Sequence, residues 1–143
     1  MATTEYSLFM KGNAVPPSNV KYAASERFLN KEGKPEEWEV CTIDATLNES
    51  LREQNSSLMA TGKKGISIPR TNQKEYLADF AATCTVYPNL NDKALQDSYG
   101  VMGAKTLLRA MLTSGEYDAY LDVVQEANGY DLSFEDKAEK VKN

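Results

Sequence analysis

Residues 87–117 read YPNLNDKALQDSYGVMGAKTLLRAMLTSGEY, and within them GVMGAKT, 100–106, sets two glycines ahead of a lysine and a threonine. If that run is a phosphate cradle, the chain is an α/β nucleotide enzyme; if it is punctuation between helices, the fold is mainly helical. A phosphate-binding loop is GxxxxGK[ST], because four intervening residues let backbone amides wrap the phosphates and a glycine beside the lysine permits close approach. Here two residues separate Gly100 from Gly103, and Ala104 stands between Gly103 and Lys105. The stretch therefore reads as a helix that stops at Gly100, where glycine tolerates a left-handed conformation, and a second helix that starts near Gly103.

Outward from this point, helices dominate. NDKALQDSYG predicts a short helix capped by Asn91, and AKTLLRAMLT a helix burying Leu107, Leu108, Met111 and Leu112. Thr113 with Glu116 forms a capping box for the most regular helix of the chain. On that helix Tyr117, Tyr120, Leu121, Val124 and Ala127 share one side, Asp118, Asp122 and Glu126 share the other, and Asn128-Gly129 ends it. Upstream, Asn72 with Glu75 starts a helix whose Tyr76, Leu77, Phe80, Ala81 and Cys84 recur at helical spacing, and Pro88 is expected to end it. Thr46 with Glu49 fits another capping box, for a helix running to about Ser56. Residues 57–71 read as a short second hairpin or a loop.

The N-terminal third has a different period. VKYAASERFL and EWEVCTI are strand-like runs around the turn NKEGKP, and the second alternates Trp38, Val40 and Thr42 against Glu37, Glu39 and Cys41. Such alternation is what a half-buried hairpin requires, and Trp38 is expected to anchor it on the helices. The fold class expected is α+β, mostly helical, with an N-terminal β-hairpin packed against a bundle of about four to five helices. Residues 1–19 form a flexible arm, 20–129 a single domain (hairpin 20–43, helical part 46–129), and 130–143 a charged tail.

A net charge of −5 argues against non-specific binding to nucleic acid or an anionic membrane. No apolar run nears the ~18–20 residues of a membrane span. MATTEYSLFMKGN lacks the basic start and long apolar stretch of a signal peptide, so a cytosolic protein is expected. The chain has no histidine, which removes the commonest general base and metal ligand. Cys41 and Cys84 sit in apolar patterns and read as core residues rather than a disulfide. GKKG at 62–65 reads as a solvated turn, and the acidic row 118, 122, 126 as a solvated helix face rather than a metal site. No catalytic, cofactor-binding or metal-binding residue is expected. Tyr99, Tyr117 and Tyr120 are the candidates for partner contact, because tyrosine offers area at low entropic cost; each also has a core reading, which is favoured for Tyr117.

The segment VYPNLNDKALQDSYGVMGAKTLLRAMLTSGEYDAYLDVVQEANGYD resembles the XkdN-like tail assembly chaperones of phages and prophages of Gram-positive bacteria. The resemblance reaches back to VKYAASERFLNKEGKPEEWEV and covers about residues 20–131. PNLND at 88–92, LQDSYGVMGA at 95–104, ML at 111–112, GEY at 115–117 and NGYD at 128–131 are its most specific pieces, and none is a catalytic signature. Ser114 stands where the family pattern leads one to expect proline. The resemblance implies a non-catalytic protein of the bacterial host cytoplasm, absent from the mature virion, that binds the tape measure protein and helps recruit tail tube subunits. It requires no cofactor, nucleic acid or membrane, and leaves room for a homo-oligomer. The alternative is a structural tail component retained in the virion, such as a connector or tube-associated subunit. A small metal-dependent nuclease would have only Asp118, Asp122 and Glu126 to rest on.

Overall fold

The computed structural model describes residues 6–60, 65 and 67–130. Two short strands, β1 (Val20–Tyr22) and β2 (Trp38–Val40), pair antiparallel with Tyr22 opposite Trp38. The alternation around Trp38 holds: Trp38 and Val40 are buried and Glu37 is exposed. The ladder is shorter than the strand-like runs on either side of the turn, because the chain after Tyr22 turns to other work. Ala24 and Ser25 are buried, Phe28 packs on Trp38, and Arg27 Nη2 reaches across to donate to Met111 O at 2.5 Å. The turn itself is tied by Asn30, whose Oδ1 accepts from the Glu32 and Lys34 amides, and by Gly33 at φ 78°.

Helix α1 (Ala45–Gln54) begins earlier than the Thr46 box implied. Asp44, extended at φ −82° and ψ 170°, is the N-cap and accepts from Leu47 N–H at 2.9 Å. An aspartate at the strand exit is as good a cap as threonine, and it starts the helix where β2 has ended, leaving Thr46 inside the first turn. The uncertain stretch that follows is a hairpin, β3 (Ser56–Ala60) paired with β4 (Ser67–Thr71).

Helix α2 (Gln73–Cys84) starts as expected at Asn72, which accepts from Glu75 N–H. It does not run to Pro88. Thr85–Tyr87 leave the helix to form β5, which pairs with β2 and completes a three-stranded sheet in the order β1-β2-β5. Thr85 Oγ1 donates to Ala81 O, closing the last turn of α2. The short helix α3 (Lys93–Ser98) is capped by Asp92 rather than Asn91, whose own amide is held by Asn89 Oδ1. Helices α4 (Ala104–Met111) and α5 (Ser114–Ala127) follow, the latter with the Thr113–Glu116 box made in both directions. The Thr113 amide on its carboxylate holds Glu116 at about 2.

One core joins these elements. α2 packs against α1, α4, α5 and β5, and the sheet brings Trp38 against Tyr120 with ring centroids 5.2 Å apart. Val40, Phe80, Cys84, Leu107, Leu108 and Val124 fill the space between. Each such side chain contributes about 1.5–3 kcal/mol by leaving water. Mostly helical α+β is therefore the class observed, with the sheet one strand wider than the sequence showed. Of the expected tail, 130–143, all but Tyr130 lies outside the described residues.

Candidate partner-binding surface

The three tyrosines differ in exposure. Tyr120 is 0% exposed, its ring against Trp38 and its hydroxyl 2.6 Å from Thr85 Oγ1. Burial pushes its phenol up, out of the range where it ionises. It is a core residue and offers no surface, which corrects its candidacy for partner contact and leaves the core reading. The reason is β5: the strand that sequence reading missed supplies the threonine that satisfies the buried hydroxyl. Tyr117 is half-buried against the same core. Tyr99 alone faces outward, 37% exposed at the end of α3.

Beside Tyr99 the chain makes the feature that opened the question of the fold. Gly100 at φ 67° ends α3 and Gly103 at φ 95° begins α4, conformations a side chain would strain. Between them Val101 tucks against the core while Met102 stands 89% exposed. Nothing apart from its position between two glycines marks Met102 in the sequence. It borders a hollow of about 540 Å³ whose walls include Asp79, Ala82, Thr83 and the first residues of α4.

The hollow is not a phosphate site. Gly103 N–H, the amide that would face an anion, already donates to Gln96 Oε1 at 3.1 Å. Lys105 is held by Glu75 at 3.0 Å and Asp79 at 3.4 Å. Arg109 adds a two-pronged contact to Glu75, at 2.7 and 3.2 Å, the fork geometry guanidinium favours. The lysine of GVMGAKT thus ties α4 to α2.

This cluster has a pH signature. Hydrogen bonds from Arg109, then Lys105, bring Glu75 from 4.5 to about 2. A carboxylate whose folded value is depressed stabilises the fold fully above its unfolded value and loses that contribution as pH falls through the folded one. Between pH 4.5 and 2 the melting temperature is expected to fall, and in Glu75→Gln to fall less steeply over that window. Thermal melts of both proteins across it check this; parallel curves would refute it.

The outer face of α5 is acidic. Asp118, Asp122 and Glu126 are all exposed along α5. Among the described residues no three His, Cys, Asp or Glu side chains gather where they could hold a metal. Cys84 is pushed up to about 12 by burial and Cys41 is also raised, so neither is an activated thiolate. No helix of the described residues is long and apolar enough to cross a membrane.

Comparison with known proteins finds relatives along nearly the whole chain. Residues 6–142 match the profile of the phage XkdN-like tail assembly chaperone proteins. YqbN of Bacillus subtilis strain 168 is 28% identical over 140 residues, covering 97% of this chain and 93% of YqbN. XkdN of the phage-like element PBSX, from the same strain, is 25% identical, covering 97% and 94%. The crystal structure of YqbN superposes with a TM-score of 0.76 at 25% identity, covering 91% of this chain and 100% of that one.

Proposed function

The chain belongs to the phage XkdN-like tail assembly chaperones, and from that premise we propose that it binds the tape measure protein of its phage through the α3–α4 corner, and helps recruit tail tube subunits, without catalysis. A tape measure protein is long and largely helical, with apolar stripes that aggregate if uncovered. The observation that carries the placement is Met102, almost fully exposed between two positive-φ glycines and beside Tyr99. Methionine adapts its shape to irregular apolar partners, and the hollow behind it offers room for an inserted side chain. The acidic face of α5 stays in water and keeps the complex soluble.

Co-expression with the tape measure protein tests this. The double variant Tyr99→Asp, Met102→Asp is expected to weaken capture by about 30-fold or more, the effect of losing a hot spot of ~2 kcal/mol. Its circular dichroism should be unchanged, because neither side chain is in the core. Replacing Asp118, Asp122 and Glu126 by alanine should leave capture intact. Full capture by the double variant sinks the placement, and stoichiometric recovery of the chain in purified virions sinks the transient role.

A further inference from the structure

We infer, on the basis that the α3–α4 corner meets the tape measure protein, that the hollow behind Met102 takes a glutamine side chain from a partner helix. The hollow's volume, about 540 Å³, is that of a ligand-sized pocket. Its apolar lining is small: Ala82, Gly103 and Ala104, with the exposed Met102 beside them. Short side chains there leave depth for a long one to enter.

The polar lining is unspent. Asp79 Oδ2 accepts from Asn55 Nδ2 at 2.9 Å and from Lys105 Nζ at 3.4 Å. Asp79 Oδ1 and the hydroxyls of Thr83 and Thr106, which also line the hollow, make no hydrogen bond among the described residues. A segment laid over the hollow shuts these groups off from water. An aliphatic side chain would then pair none of them, and buried polar groups left unpaired are what lets a site reject the wrong occupant.

Charge chooses among the polar tips. Lys105 is shared by Asp79 and Glu75, and Arg109 closes on Glu75, so two acids already face two bases. A cationic tip would meet Lys105 and an anionic one Asp79, which leaves a neutral tip. Asp79 Oδ1 can only accept, so that tip must donate, while the two hydroxyls can do either. A carboxamide brings two donors and an acceptor. The methylenes of glutamine carry it past Met102, whose flexible thioether adapts to them.

Capture of the co-expressed tape measure protein tests this with Thr83→Val, which keeps the shape and loses the hydroxyl, and Thr83→Trp, which fills the hollow. Thr83 is exposed near the end of α2, so neither change should alter the circular dichroism. Thr83→Trp is expected to weaken capture by about 10-fold or more. The segment of the tape measure protein that the complex shields from protease should hold a glutamine among its apolar positions. Changing that glutamine to leucine should weaken binding to the unmodified chain by about 10-fold. The loss should be clearly smaller against Thr83→Val, the coupling that a direct contact produces. A shielded segment without glutamine, equal losses against both proteins, or full capture by Thr83→Trp overturns the inference. Failure of the corner itself looks different: the double variant Tyr99→Asp, Met102→Asp would then keep full capture. If that variant loses capture while Thr83→Trp keeps it, the corner stands and only the hollow is struck out.

Discussion

Trp38→Ala is expected to lower the free energy of unfolding by about 3–5 kcal/mol, the range for deleting a buried aromatic ring from a packed core. Trp38 sits in the middle strand of the sheet, almost fully buried, with Tyr120 edge-on at 5.2 Å and Phe28 tilted at 6.4 Å. Neighbours fixed in a sheet and a helix collapse poorly into the space left, so the transfer term and the cavity term both count. For a small domain with a total stability of about 5–15 kcal/mol, that loss brings the variant close to unfolding at growth temperature. Urea titration of the two proteins measures it. Trp38→Phe keeps a ring against Tyr120 and should lose clearly less. A loss under about 1 kcal/mol for the alanine variant would show that the sheet is not anchored here.

Asn128→Ala is the second large effect, expected at about 2–3 kcal/mol. The residue ends α5, but its side chain joins three elements. Its Oδ1 accepts from Ile43 N–H at 2.9 Å, while Nδ2 faces Val124 O at 2.9 Å, Cys41 O at 3.4 Å and Cys84 Sγ at 3.5 Å. Truncation leaves the Ile43 donor and the Cys41 acceptor part-buried without their partner, and an unsatisfied buried group costs about 1–3 kcal/mol. Asn128→Asp keeps the acceptor but turns a carboxylate toward two carbonyl oxygens, so it should do no better than alanine. Equal stability of Asn128→Asp and the unmodified chain would contradict the role of Nδ2.

What the sequence disclosed and what it hid divide along local and non-local interactions. The Asn72 and Thr113 caps, the stop at Gly100 and the alternation around Trp38 are set by neighbours within a few residues, and all are in the structure. β5 is not local. Thr85-Val-Tyr87 continues an apolar helical period without a break, and becomes a strand because β2, far away in sequence, presents a free edge. That one omission propagated: without β5 there is no Thr85 beside Tyr120, and the spacing on α5 cannot tell a buried tyrosine from an exposed one. Asp44 against Thr46, and Asp92 against Asn91, are choices between adjacent good caps, decided by where the preceding segment ends. Of the contact surface proposed here, Tyr99 was a candidate from sequence and Met102 was not, since exposure of an apolar residue between helices leaves no periodic trace.

Hydrogen exchange on the purified chain, alone and bound to the tape measure protein, tests the proposed role most directly. Slowed exchange is expected across residues 95–106, where α3 gives way to α4, with residues 118–126 of α5 unchanged. Protection confined to α5 or to the β1–β2 hairpin, or no change at 95–106 on binding, would contradict it.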